Sequence, residues 1–173
     1  FNGADRLFVI NADGSNLIQL TNSPNEIITR WRWSPDSKKL VYASIIYFNK
    51  HSNARLDQIF IVNVDGTNRK KLTKGDSPAD SPAYSPDGKK IVFRSFLGAG
   101  YACIFVIDTE GKNRKPLTKP FGYDNPSFSP DGNLIMYQRF ESNNNWSTSI
   151  MNSDGSDARI IDRDSIAPRW SSR

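Results

Sequence analysis

Nucleophilic catalysis of the Ser-His-Asp or Cys-His kind needs a histidine base held by an acid, and this chain has one histidine, His51, in the polar stretch NKHSN. That setting reads as a solvated loop. No Gly-x-Ser-x-Gly elbow and no glycine-rich phosphate loop ending in Lys-Ser or Lys-Thr occurs. Four carboxylates, Glu26, Asp76, Asp80 and Asp124, could converge as the acid–base pair of a carbohydrate-active or ester-acting lyase or hydrolase. The stretches NVDGTN and DTEGKN look superficially like calcium loops, yet lack the spaced carboxylates and the glutamate at the twelfth position. No metal, cofactor or catalytic set is therefore assigned. The lone cysteine, Cys103, in YACIFVID, has no partner for an internal disulfide and reads as a small buried side chain. Asn145 opens an Asn-Trp-Ser tripeptide, a glycosylation sequon of near-chance frequency.

These residues have to be placed by elements that repeat. Strand-entry turns read WSPDSKKLVY from Trp33, YSPDGKKIVF from Tyr84 and FSPDGNLIMY from Phe128, with a shortened PRWSSR at the end. A second motif reads LFVINADGSN, IFIVNVDGTN, IFVIDTEGKN and TSIMNSDGSD, its glycines at Gly14, Gly66, Gly111 and Gly155. A third motif closes each unit: IQLT, KKLT, KPLT and, more weakly, RIID. The period is about 44 residues, with one insertion.

Ser-Pro-Asp-Gly suits a type I turn followed by a bulge, because proline pre-sets φ and glycine accepts the left-handed position. The Asp-Gly pairs are expected to supply both positive-φ positions of a second, two-residue hairpin. Four short strands per unit, with no helical apolar periodicity, predict an all-β fold, a β-propeller of four-stranded antiparallel blades. The units run about 24–73, 74–118 and 119–162, with 1–21 and 163–173 as parts of a further blade in a single domain. Leu7–Ile10 and Leu17–Thr21 would be its third and fourth strands and Ala167–Ser171 its first. The ring would then be incomplete, or closed by self-association. Trp33, Tyr84, Phe128 and Trp170 are expected to pack between blades.

The run SPDGKKIVF…IFVIDTEGKNRKPLT resembles the Pro-Asp propeller repeat of the TolB family, which also occurs in the propellers of prolyl oligopeptidases. The resemblance covers the whole chain in three nearly complete units and pieces of a fourth. It implies a periplasmic or secreted setting. Departures are Ser37 in place of the turn glycine, the long stretch SIIYFNKHSNARLDQ, and a last turn that never reaches Asp-Gly. Nothing here looks like the separate N-terminal domain of TolB or the hydrolase domain of the peptidases.

In a propeller the innermost strands line the channel, so the residues entering each first strand are the candidate binding rim: Glu26, Thr29 and Arg30; Asp80 and Ser81; Asp124 and Asn125; Ile166 and Arg169. They vary between repeats on a fixed scaffold, which suits a protein or peptide partner. The long loop, with Tyr47, Phe48, Lys50 and Arg55, is a second candidate contact. The formal net charge of +5 and a pI near 9.4 could favour an acidic partner, nucleic acid or an anionic surface. Lys38, Lys39, Lys89 and Lys90 recur at equivalent places after the turns, which fits edge protection better than a nucleic-acid stripe. There is no run of 18 apolar residues, and the opening FNGADRLF has neither part of a signal peptide. The reading is a non-catalytic scaffold that offers a channel rim to a protein.

Overall fold

A computed structural model describes residues 5–24, 26–47, 55–75, 77–97, 100–141, 145–163 and 168–171. Each repeat folds as an antiparallel meander whose strand order in space is its order in sequence. Blade 1 holds β3 (Glu26–Trp33), β4 (Lys39–Tyr47), β5 (Arg55–Asn63) and β6 (Lys70–Lys71). Blade 2 holds β7 (Ala79–Tyr84), β8 (Lys90–Leu97), β9 (Tyr101–Asp108) and β10 (Lys115–Pro116). Blade 3 holds β11 (Tyr123–Phe128), β12 (Leu134–Phe140), β13 (Trp146–Asn152) and β14 (Arg159–Asp162). A two-stranded piece, β1 (Phe8–Val9) with β2 (Ile18–Gln19), precedes them. The described residues contain no helix, and their sheets do not close into a ring.

The blades stack through their middle strands, which are apolar on both faces because both are covered. Val41, Ile59 and Ile61 of blade 1 share one core with Ile91, Phe93, Cys103, Phe105 and Ile107 of blade 2. Val92, Ile104 and Val106 of blade 2 share the next with Phe128, Ile135, Tyr137 and Met151 of blade 3. Leu7, Leu20, Val9 and Ile18 pack on Leu40, Tyr42 and Phe60, so the β1–β2 piece covers the outer part of the first face of blade 1.

The turns hold themselves by side-chain hydrogen bonds. In Ser-Pro-Asp-Gly the Ser85 hydroxyl donates to Asp87 Oδ1 at 2.6 Å and accepts the Lys90 N–H at 2.9 Å, while Asp87 accepts the Lys89 N–H at 3.0 Å. The same network recurs at Ser34–Asp36 and Ser129–Asp131. Ser37 takes the left-handed position with φ 56°, where Gly88 and Gly132 stand in the other blades. The Leu-Thr endings are also explained: the Thr73 and Thr118 hydroxyls accept the N–H of Ile59 and Ile104, each at 3.0 Å, and so tie the fourth strand to the third.

Three expectations are corrected. In the Asp-Gly hairpins the positive-φ residues are the glycine and the residue two further on, as in Gly66 (82°) and Asn68 (53°), and not the aspartate. Asp65 stays right-handed because its carboxylate accepts the N–H and hydroxyl of Thr67, at 2.9 and 2.6 Å, within a turn closed by Gly66 N–H on the Asn63 carbonyl. Trp33 is 48% exposed and Trp31 50%. Tyr84 and Phe128 pack on the middle strands of the blade before them, whereas the β1–β2 piece offers Trp33 only a third and a fourth strand. Residues 168–171 form no strand, since no second strand stands beside them among the described residues; Trp170 is instead held by its indole N–H on the Ser127 carbonyl at 3.3 Å.

Outside the cores, cations lie on aromatic faces. The Arg69 guanidinium sits 4.4 Å from the Phe60 ring centre, and Arg114 sits 4.6 Å from that of Phe105. Blade 3 has Ala158 at the matching place and Ser149 where the other blades carry Phe60 and Phe105.

Two local outcomes follow. Ser37→Gly relieves a left-handed serine and should raise stability by about 0.5 kcal/mol in a denaturant melt, after the added freedom of the unfolded chain is counted. A Cβ at Gly155 (φ 98°) would stand 2.8 Å from the Leu117 carbonyl oxygen, whereas one at Gly14 (φ 84°) would meet nothing within 4 Å. Gly155→Ala should therefore cost about 2 kcal/mol or more and Gly14→Ala about 1, read from the same melts.

The turn carboxylates also set a pH dependence. Hydrogen bonds, first from the Ser34, Ser85 and Ser129 hydroxyls, hold Asp36, Asp87 and Asp131 below the ordinary value of 3.8, and Ser15, Thr67 and Ser156 do the same for Asp13, Asp65 and Asp154. A depressed folded-state pKa contributes stability that is present above 3.8 and is lost as pH falls through the folded value. These six carboxylates should make thermal melts drop from about pH 4 downward, while Asp80, whose carboxyl burial pushes up, acts in the opposite sense just above that pH. Ser85→Ala should flatten part of that slope.

Candidate functional site

The first strands of the three blades and the segment 168–171 surround one cavity of about 560 Å3. Arg30 and Arg32 line it from blade 1, Ser81, Pro82 and Ala83 from blade 2, Asn125, Pro126 and Ser127 from blade 3, and Pro168, Arg169 and Trp170 from the last segment. Aligned on the Ser-Pro-Asp turns, Arg30, Ser81 and Asn125 hold one position, Arg32, Ala83, Ser127 and Arg169 a second, and Pro82, Pro126 and Pro168 a third, so two of the positions vary between blades and one is held by proline.

Its charge is one-sided. Among the described residues the ionisable lining residues are Arg30, Arg32 and Arg169, and none of those that line the wall is a carboxylate. Each carboxylate proposed for the rim is engaged elsewhere. Glu26 is buried and takes the Arg69 guanidinium, which also donates to the Tyr42 hydroxyl at 2.6 Å. Asp80 pairs with Arg94 at 2.9 Å; burial pushes its carboxyl up, opposed by Arg94 and reinforced by the nearby charge of Asp124. Asp124 Oδ1 accepts the Ser81 hydroxyl at 2.9 Å and the Asn125 N–H at 2.7 Å, a bond between blades 2 and 3. For the alternative of an acid–base carboxylate pair in the channel, Asp80 and Asp124 are near enough to feel each other's charge but neither is among the described residues that line the wall, and Asp76 lies outside the described residues.

Of the rim residues read from sequence, Arg30, Ser81, Asn125 and Arg169 come together on the cavity; Glu26, Thr29, Asp80 and Asp124 do not line it. Thr29 donates its hydroxyl to the Ala43 carbonyl at 3.3 Å. Arg30 reaches across to the Asn125 amide oxygen, and Asn125 donates on to Gln138 at 2.6 Å. Ile166, Phe48, Lys50 and His51 lie outside the described residues, and Tyr47 and Arg55 are described only as the paired ends of β4 and β5. Among the described residues no group of three or more metal-ligating side chains is assembled. Burial pushes the Cys103 thiol up.

Sequence reasoning missed Arg32, Ala83 and Ser127, the prolines Pro82, Pro126 and Pro168, and Trp170, which it had placed between blades. The reason is a break in each first strand: β3 slips register between Ile28 and Arg30, β7 between Asp80 and Ala83, and β11 between Asp124 and Ser127. A bulge reverses the alternation, so residues before it cannot be assigned to the face of those after it. Ser81 and Asn125 mark it with φ of 53° and 49°. The usable signal was the period-two pair Arg30 and Arg32 after the break.

Similarity to known proteins agrees with this architecture. Over 65 residues, 38% of this chain, the sequence is 40% identical to a dipeptidyl-peptidase 5 of Porphyromonas gingivalis, and that stretch is 9% of the relative's length. The structure of a TolB-type protein from Agrobacterium tumefaciens superposes with a TM-score of 0.72 at 22% identity, covering 91% of this chain and 56% of that one. The β-propeller domain of the trilobed protease from Pyrococcus furiosus, described as having an open velcro topology, gives 0.62 at 18% identity, with coverage of 83% and 45%. At those identities the two structures speak for the fold. The family model for the TolB beta propeller domain matches residues 2–173, so with its Ser-Pro-Asp turns and four-stranded blades the chain belongs to that family.

Proposed function

We propose that this propeller segment is a non-catalytic binding scaffold of an envelope-associated or secreted protein, and that it presents its central cavity and rim to a protein or peptide partner. The observation that carries the reading is the contrast between frame and wall. The Ser-Asp turn networks recur in all three blades, while the cavity position four residues before the turn serine changes from Arg30 to Ser81 to Asn125 and the one two before it from Arg32 to Ala83 to Ser127. A fixed frame with a changing wall is the arrangement of a recognition surface. The TolB family membership supports the envelope or secreted setting.

A second reading is supported by the 40% identity to a dipeptidyl-peptidase 5: the same cavity would receive peptides on behalf of a catalytic domain outside this chain. In both readings the ligand is polypeptide. Carbohydrate or ester chemistry by channel carboxylates has less support, since Asp80 and Asp124 are held by Arg94 and Ser81. Nucleic acid is the weakest reading, because the converging arginines lie in a cavity too small for a duplex.

The test is capture from envelope extract at low salt by the immobilised chain and by Ala83→Tyr, which fills the cavity without changing charge. The expected result is a retained protein whose yield falls about tenfold with the variant, whose fold is checked by circular dichroism. Retention of nothing by the native chain, or equal retention by both, would overturn the reading.

A further inference from the structure

The first strands are terminal in their sheets, so each has one free edge, and the cavity lies among these edges. In β3 the Ser34 N–H donates to the Lys39 carbonyl at 2.9 Å, and the register continues through Trp33↔Leu40, Arg32↔Val41 and Trp31↔Tyr42. An antiparallel ladder alternates, so Ser34, Arg32 and Arg30 turn their N–H and C=O groups to β4, and Trp33 and Trp31 turn theirs to the free edge. The Trp31 carbonyl agrees with this, since its partner is the Arg32 guanidinium at 2.9 Å.

The same count applies to β7 and β11, where Ser85 and Ser129 donate to the carbonyls of Lys90 and Leu134, both at 2.9 Å. The residues matching Trp31 are Pro82 and Pro126, and in the last segment Pro168. Proline has no N–H, so these edges are silenced at the point where they face the cavity. Blade 1 alone keeps a donor there. It also keeps Arg30 and Arg32, two residues apart and both on the cavity wall, which Arg169, the residue matching Arg32 in the last segment, lines as well.

We infer that the free edge of β3 is a docking site for an extended acidic peptide segment, with carboxylates at every second residue on Arg30 and Arg32 and a further one on Arg169. Backbone pairing with Trp31 and Trp33 supplies affinity, and the guanidinium groups supply selectivity. An added strand takes over the Trp31 carbonyl and leaves the Arg32 guanidinium for a carboxylate. The alternation of two residues in the peptide matches the pleat of the strand it joins. This inference rests on the cavity taking polypeptide, and it adds the partner's charge, conformation and register.

The experiment titrates an acetylated, fluorescein-labelled hexaglutamate into the full chain, with hexaglutamine, hexaglutamate N-methylated at alternate residues, hexagalacturonate and hexathymidylate as companion probes. Hexaglutamate should bind and weaken with added salt, and hexaglutamine should bind at least about tenfold less tightly. Arg32→Gln and Arg169→Gln should each weaken hexaglutamate about tenfold, while Lys38→Gln, the same charge change on an exposed turn, should leave it within about twofold. Trp31→Pro, which installs the residue of the other first strands, should weaken it about tenfold. N-methylation should produce the same loss on the native chain, and this arm decides the backbone component if Trp31→Pro does not fold. Equal weakening by Lys38→Gln, undiminished binding of the N-methylated peptide, or equal binding of the uronate or the thymidylate would overturn the inference. If a protein is captured and lost with Ala83→Tyr while hexaglutamate fails to bind, the acidic-peptide inference falls and the scaffold reading stands.

Discussion

Every feature of this molecule depends on the need to cover both faces of each middle strand. Val41, Tyr42 and Ala43 of β4 are fully buried, as are Ile91, Val92 and Phe93 of β8, although consecutive residues of a strand point to opposite faces. A single sheet cannot hide both sides, so blades must be stacked, and stacking at a regular angle leaves a space at the inner edges. The cavity is thus a by-product of packing. Its wall is formed by the first strands, which are less completely buried than the middle strands, and that is why it can vary.

The constraint also explains how the rim is wired. First strands must bend to follow the inner edge, and each does so with a register break next to Thr29, Ser81 or Asn125. The breaks direct side chains sideways into hydrogen bonds between blades, such as Ser81 to Asp124 and Arg30 to Asn125. The acidic groups of the rim are used in holding it together, and Arg30, Arg32 and Arg169 are the charges that line the space. The polarity of the cavity follows from that division of labour.

The frame was legible in the sequence. Punctuation by Pro, Asp and Gly at a steady interval gives the hairpins, and β-branched runs such as KKIVF give the middle strands. The rim was legible only in part. Reading it needs the position of a bulge, which depends on how two strands meet and not on the residues of one. The hydroxyl–carboxylate bonds of the turns and the Leu-Thr tie were present as recurring letters whose purpose appears only in three dimensions. The exposure of Trp33 was hidden for a similar reason: an aromatic at a core position is buried only if the preceding repeat supplies the strands that meet it.

Arg69 and Arg114 spread their guanidinium planes over the aromatic rings of blades 1 and 2, and Ala158 leaves blade 3 without that cover. In a linear array each unit is secured by its own contacts and by its two neighbours, so strength is local. The third unit is therefore expected to open more readily than the two before it, with amide protons of β13 released to solvent earlier than those of β9.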